Sequence, residues 1–264
     1  MPPFHPSLTI EEIQAVFPDL KVRQKLGEGG QGDAFLCTRS DESVAVLKIY
    51  GPDTEDRRVS REFEKLQRVS SPYVVKLFDS GQVSLRGKPV FFGLMEWIDG
   101  ADLATTPIPM TEQDVWALIR QVATGVGALS EQSVVHRDIK PENIVRRANG
   151  DFVLIDLGYA KHLDRSTLTQ KNHTCGTEGY IAPELMMGFR PTFRADLFSL
   201  GVVAYLMASG NHPYRGLQDL VGKITVLPIQ AVSDDLNAII LRLLCLRPSD
   251  RARSWEDLRE ARGR

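Results

Sequence analysis

The chain of 264 residues holds only three cysteines, Cys37, Cys175 and Cys245, and no two of them stand in C-x-x-C spacing. That excludes a disulfide framework and a cysteine-rich zinc site, and makes a reducing compartment, the cytoplasm, the expected setting. Neither charge is in excess: 32 Lys and Arg against 34 Asp and Glu give a formal net charge of −2. A wholesale nucleic-acid or membrane-surface binder would carry a basic surplus, so neither is expected as a partner. Long apolar runs are missing too. Leu197 to Gly210 is uncharged, but it falls short of the roughly 18 residues that span a bilayer and reads as a buried core helix. Met1 to Pro6 carries three prolines and no apolar signal core, so no secretory signal is expected. Repeats and low-complexity tracts are absent. What remains is ordinary: 42% hydrophobic and 25% charged residues are enough for a sizeable core and exclude disordered or fibrous classes. At about 150 residues per domain, the length allows two compact units or one large domain.

The pattern changes along the chain. Thr9 and Glu12 form a capping box, Ile10, Ile13, Val16 and Phe17 share a helical face, and Pro18 stops the helix. From Lys21 to about Trp97, short β-branched and aromatic runs predict strands at Val22–Leu26, Ala34–Thr38, Val44–Tyr50, Val74–Ser80 and Val90–Met95. One helix, about Glu55 to Val69, interrupts them. From Thr111 helices dominate, at about Thr111–Val126, Arg194–Ala208, Ser233–Leu246 and Ser254–Arg262, with short strands inside Val134–Leu157. The expected organisation is α+β: a helical extension over 1–20, a small β-rich lobe over 21–97 and a larger helical lobe over 98–264. Trp97 to Gly100 is the candidate hinge, and a ligand is expected in the cleft between the lobes.

Five motifs carry chemistry. Gly27, Gly29 and Gly32 make a G-x-G-x-x-G run lying between two strand signals, where a dinucleotide-binding loop would lead into a helix. It is a plain turn or a hairpin whose backbone N–H groups approach phosphates without Cβ obstruction. Lys48 ends an apolar strand; it is solvated, or it reaches the same phosphates and needs a carboxylate to hold it, with Glu62 well placed and Glu64 the competitor. His136 to Asn143 is a charge-dense loop between Val134-Val135 and Ile144-Val145. Asp156-Leu157-Gly158 follows an apolar strand, and Ala182-Pro183-Glu184 follows Gly176 to Tyr180. Each match is cheap alone; the ordered set is specific.

In that order the motifs resemble the signature set of eukaryotic-type protein kinase catalytic domains, over about Lys21 to Arg264. The resemblance implies a bilobal kinase-like fold and transfer of the γ-phosphoryl group of ATP to protein hydroxyls, with Mg²⁺. It implies Asp138 as catalytic-loop aspartate, Asn143 and Asp156 as magnesium ligands, Lys48 on the α- and β-phosphates held by Glu62, and Lys140 on the γ-phosphate. Leu26, Ala34, Val46 and Val145 would enclose adenine. Met95 would be gatekeeper, the Glu96 and Ile98 backbone would bond the adenine edge, and Asp102 would contact ribose. Lys140 and Thr177 resemble the serine/threonine branch, so protein Ser/Thr hydroxyls are the implied substrates. Arg137 before the catalytic aspartate implies control by a phosphorylated loop, with Thr167, Thr169 and Thr174 as autophosphorylation candidates and the chain itself as a substrate. Asp196 resembles the support of the catalytic-loop backbone, and Glu184 with Arg251 the family's buried ion pair. Ala34 and Val46 exchange the sizes usual at their two positions, and Leu157 replaces the usual Phe; neither removes a catalytic group, so a nucleotide-binding scaffold without catalysis is the weaker reading. The lean loops resemble bacterial members, which often carry a membrane-anchored sensor after the kinase.

Overall fold

A computed structural model describes residues 4–29, 32–51, 56–156, 179–214, 225–252 and 255–260. They fall into two compact units. The first comprises 4–69 and 75–98, and the second 70–74 with the described residues from 99 onward.

The first unit is a five-stranded antiparallel sheet with two helices. Its strands are β1 (Lys21–Gly29), β2 (Gly32–Thr38), β3 (Val44–Tyr50), β4 (Leu77–Leu85) and β5 (Lys88–Glu96), in the order β1-β2-β3-β5-β4. Helix α1 (Ile10–Val16) starts as expected: Thr9 Oγ1 accepts from the Glu12 N–H at 3.3 Å, and Glu12 Oε2 accepts from the Thr9 N–H at 2.9 Å. Helix α2 is Asp56–Leu66. The period-two alternation of strands divides the sheet cleanly. Phe35, Cys37, Ala45, Leu47 and Ile49 are fully buried on one face, packed with Phe4, Leu8 and Ile13 of the N-terminal segment. Ala34, Leu36, Val46 and Lys48 alternate with them and are only half-buried.

The strand expected at Val74–Ser80 begins later, at Leu77, and runs on to Leu85. Asp79, Gln82 and Ser84 are exposed, so apolar density fades before the strand does. Val74 makes a single parallel bridge to Leu154 in the second unit.

The second unit holds β6 (Gly100–Asp102), α3 (Glu112–Glu131), β7 (Ile144–Arg147), β8 (Phe152–Leu154), α4 (Pro183–Met186), α5 (Phe193–Ser209), α6 (Asp234–Leu243) and α7 (Trp255–Glu260). Strands β6, β7 and β8 form a small antiparallel sheet. Val115, Leu118, Ile119 and Val122 give α3 one buried stripe. Helix α5 is buried nearly all round, at Leu197, Phe198, Leu200, Val202 and Val203 among others, so it is the central element. It packs on α3 and α6. A Cβ at Gly201 would lie 2.7 Å from Leu243 Cβ, so the α5–α6 approach requires glycine. Among the described residues no helix is long and apolar enough to cross a membrane.

Candidate active site

In the first unit the glycine run closes the β1–β2 hairpin, with Gly27 opposite Ala34, Glu28 opposite Asp33 and Gly29 opposite Gly32. Two of its glycines serve different ends. At Gly32 (φ +153°) a Cβ would sit 1.9 Å from the Ile49 carbonyl oxygen, so this glycine lets β2 press against β3. At Gly27 a Cβ would meet nothing within 4 Å. Protein packing does not demand glycine there, whereas close approach of a ligand to the backbone would. A register shift between Lys25 and Gly27 sets Leu26 in a bulge, and Leu26 is 37% exposed.

Lys48 pairs in register with Ala34 on one side and Gly93 on the other. Its Nζ lies 5.5 Å from the centre of the Tyr50 ring. Val46 lies in register with Leu36 and with the buried Met95. Leu26, Ala34, Val46 and Lys48 are thus incompletely covered by protein, as an adenine-and-phosphate surface requires. The Glu96 N–H donates to the Lys76 carbonyl at 2.9 Å, so a bond from Glu96 to an adenine edge must come through its carbonyl. Ile98 is buried.

The expected partnership of Lys48 with Glu62 is not what the structure holds. Glu62 faces Lys65 Nζ at 3.6 Å, one turn along α2. An i,i+3 pair forms between neighbouring turns of one helix, so Glu62 meets Lys65 without leaving α2.

The second unit assembles the catalytic loop. Asp196, in the first turn of α5 and almost fully buried, accepts from the His136 N–H (Oδ2) and the Arg137 N–H (Oδ1), both at 2.8 Å. Burial raises the pKa of this carboxyl, against the pull of His136, Arg137 and the two N–H groups. The Asp138 N–H donates to His136 Nδ1 at 3.3 Å, so Nδ1 is an acceptor and Nε2–H donates to the Ile155 carbonyl at 3.1 Å. Arg137 sits at φ +66°, a left-handed conformation these bonds hold in place.

Asp138 is 6% exposed. Asn143, in the 3-10 turn Pro141–Asn143, donates from Nδ2 to the Asp138 carbonyl at 2.8 Å and to its Oδ2 at 3.1 Å. The Lys140 ammonium lies 3.6 Å from the same Oδ2. Both hydrogens of the Asn143 amide therefore face Asp138, which leaves Oδ1, a hard oxygen, as the end that can ligate a cation. Asp156 follows β8 at φ +52°, and the neighbouring Ile155 N–H donates to the Asn143 carbonyl at 2.9 Å. Among the described residues no cluster of three or more His, Cys, Asp or Glu gathers to hold a metal. Magnesium takes few protein oxygens and completes its shell with phosphates and water, so an amide oxygen and one carboxylate on adjoining backbone fit it.

Val145 on β7 is buried and lies opposite Asp102 and Val153. Asp102 ends β6, and its Oδ1 accepts from the Thr105 N–H at 2.9 Å. Leu157, Gly158, Thr167, Thr169, Thr174 and Thr177 lie outside the described residues. Further along, Ser199 Oγ donates to the Tyr180 carbonyl at 2.7 Å and ties the segment before α4 to α5. Gln121 of α3 links to β8 by donating to Asp151 Oδ1 at 2.7 Å and accepting the Phe152 N–H at 2.8 Å. Neither residue carries a sequence signal, because each acts on backbone far along the chain. Asp33, also missed, did carry one: it shares the inward parity of Phe35 and Cys37.

A family model described as "Protein kinase domain" matches residues 20–261. Serine/threonine-protein kinase PknD of Mycobacterium tuberculosis (strain CDC 1551 / Oshkosh) is 30% identical over 94% of this chain and 40% of its own length. Serine/threonine-protein kinase PknE of Mycobacterium bovis is 31% identical over 93% of this chain and 46% of its own. Serine/threonine-protein kinase pkn3 of Myxococcus xanthus is 31% identical over 89% of this chain and 48% of its own. The chain thus spans less than half the length of each of these relatives. The resemblance seen in the motifs holds along nearly the whole sequence, and the chain belongs to the protein kinase domain family.

Proposed function

We propose that the chain is an ATP-dependent kinase acting on serine and threonine hydroxyls of proteins. The observation that carries this reading is the setting of Asp138: a nearly buried carboxylate, bonded by Asn143, faced by Lys140, in a loop whose backbone Asp196 holds by two N–H bonds. Phosphoryl transfer needs positioning and charge neutralisation more than covalent help from the protein. Asp138 orients the substrate hydroxyl and takes its proton as the oxygen bonds to the γ-phosphorus and the bond to the bridging oxygen breaks. Lys140 neutralises charge on the transferred group, and Lys48 does so on the α- and β-phosphates. Asn143 Oδ1 and the Asp156 carboxylate would hold magnesium, which when bound screens the phosphate oxygens. The hairpin of Gly27, Gly29 and Gly32 supplies N–H groups to the phosphates, while Leu26, Ala34, Val46, Met95 and Val145 supply apolar surface for adenine. Asp102 bonds ribose.

Residues 21–97 and 98–264 are the proposed small and large lobes, with 1–20 as an extension of the first, a division the two compact units follow except at 70–74 and 98 among the described residues. Engagement of Lys48 by Glu62 is the step that completes the first lobe. Thr167, Thr169 and Thr174 are the proposed autophosphorylation sites and Arg137 the cation that reads them. The Lys140 loop and the names of the relatives support serine/threonine rather than tyrosine as acceptor.

The test is transfer of γ-labelled phosphate from Mg·ATP to a generic basic protein and to the chain itself. Asp138→Ala should lose about 10²–10⁴-fold in rate. Equal labelling by the two proteins would leave only a nucleotide-binding scaffold.

A further inference from the structure

The strongest unassigned feature joins the N-terminal segment to the glycine hairpin. Glu28 and Asp33 are direct partners across β1–β2, immediately flanking the glycines at its tip. Two carboxylates facing one another in a hairpin repel. The Lys25 ammonium answers both, at 2.9 Å from Glu28 Oε1 and 2.9 Å from Asp33 Oδ2. The same ammonium donates to the Leu8 carbonyl at 3.1 Å and to Ser7 Oγ. Ser7 Oγ donates in turn to Glu28 Oε1, and the Leu8 N–H donates to Asp33 Oδ2 at 3.0 Å. The links to Lys25, Glu28 and Asp33 thus end within two residues of Gly27, Gly29 or Gly32, while Gln14 ties the segment farther back, its Oε1 accepting from the Val22 N–H at 3.0 Å.

Asp33 is the informative member. It is fully buried on the inward face of β2, and its Oδ1 is buried without a hydrogen-bond partner among the described residues. An apolar side chain would serve stability better at such a position. What the carboxylate achieves is attachment: its Oδ2 accepts from both Leu8 and Lys25. At its far side the segment is fastened by Arg86, in the β4–β5 turn. Arg86 Nε and Nη2 donate to Glu12 Oε1 and Oε2 at 2.7 and 2.8 Å, and its guanidinium also reaches the Pro6 and Ser7 carbonyls.

We infer that residues 4–17 are a brace that holds the glycine hairpin in its nucleotide-competent shape, with Asp33, Lys25 and Arg86 as positioning residues. This rests on the kinase reading for its consequence but not for its geometry. A glycine-rich hairpin has high backbone freedom and no core of its own at the tip, so its order must come from its flanks. All the hydrogen bonds of Arg86 go to the segment, and the hairpin feels only its charge, at Asp33, so its loss reaches the hairpin mainly through the brace.

The test compares Arg86→Ala, Lys25→Met and the conservative Asp33→Asn with Ile119→Val, which loosens the core of the second unit. Hydrogen exchange at the amides of residues 26–34 is followed without nucleotide, and binding of Mg²⁺ with N-methylanthraniloyl ATP by fluorescence. If loss of the brace leaves about a tenth of hairpins competent, Kd rises about tenfold and the 26–34 amides lose most of their protection, with kcat at saturating ATP within about twofold of wild type. Asp33→Asn, which keeps an acceptor for Leu8, should lie between. Overturning the brace requires unchanged exchange and Kd in Arg86→Ala and Lys25→Met, with Tm lowered as in Ile119→Val. Should wild type bind no nucleotide probe, the kinase reading falls and exchange alone decides the brace.

Discussion

Arg251 and Glu184 form a two-point ion pair in the interior of the second unit, Nη1 to Oε1 at 2.6 Å and Nη2 to Oε2 at 2.8 Å. The remaining guanidinium hydrogens go to the carbonyls of Cys245 (2.7 Å), Arg194 (2.9 Å) and Leu246 (3.0 Å), and the group lies 4.8 Å over the Phe198 ring. All five N–H donors of a fully buried arginine are satisfied. One side chain therefore fixes the start of α4, the start of α5 and the turn after α6. Neutralising Glu184 leaves a buried guanidinium without its counter-charge, and removing Arg251 leaves a buried carboxylate and three unmatched carbonyls. Glu184→Gln and Arg251→Met should each cost about 3–5 kcal/mol in urea unfolding. Arg251→Lys should cost nearly as much, because an ammonium cannot reproduce the planar fork.

Asp196 should govern rate rather than nucleotide affinity. Its two oxygens accept the His136 and Arg137 N–H groups, and Arg137 is held at φ +66° directly before Asp138. Asp196→Asn turns one of those acceptors into a donor facing an N–H. The loop then relaxes, at about 1–3 kcal/mol for the unsatisfied group. Phosphoryl transfer should fall at least about tenfold in kcat with KM for ATP moved less than about twofold, as expected for a group that aims the base without touching nucleotide. A change confined to KM would refute this.

The legible parts were those carried by local pattern. The capping box of Thr9 and Glu12, the alternation through β2 and β3, and the uncharged run of α5 from Leu197 onward follow from spacing alone, and the structure contains each. The ordered motifs placed Asp138, Asn143 and Asp156 in the second unit and the glycines and Lys48 in the first. Partner choice was harder to read. The sequence offered Glu62, with Glu64 as competitor, to Lys48, whereas Glu62 stands beside Lys65, its neighbour three residues along the helix. The Asp33–Leu8 bond spans 25 residues and the Arg86–Glu12 pair spans 74, separations at which sequence pattern holds no geometric information. The parity of Asp33 was visible, but parity says only that a residue faces inward, not what it meets there.

Cys37 should be inert in the native protein. It is fully buried on the inward face of β2, and burial pushes its thiol up to about 11. The thiolate is the nucleophile, so at pH 8 iodoacetamide should leave Cys37 unmodified until the sheet opens. Peptide mapping after labelling with and without urea checks this. Native labelling of Cys37 at the rate of a free thiol would mean that the sheet face under α1 is not closed.

The Glu12–Arg86 pair should make docking of the N-terminal segment acid-sensitive. The Arg86 hydrogen bond, aided by the Thr9 N–H, holds the Glu12 carboxyl at about 2, against an ordinary value of 4.5. A carboxyl depressed in the folded state binds fewer protons folded than unfolded. Its contribution is therefore complete above about 4.5 and declines as pH falls toward about 2. Both side chains are partly exposed, so salt should weaken the pair as well. The stability deficit of Glu12→Gln relative to wild type should be constant from pH 7 to about 5, shrink below about 4.5 and approach zero near 2. Paired urea titrations along that series measure it. Because the difference is taken between two proteins that share every other carboxyl, general acid destabilisation cancels. A deficit that persists unchanged at pH 3 would show that neither Arg86 nor the Thr9 N–H depresses the Glu12 carboxyl, and that the pair does not fasten the segment.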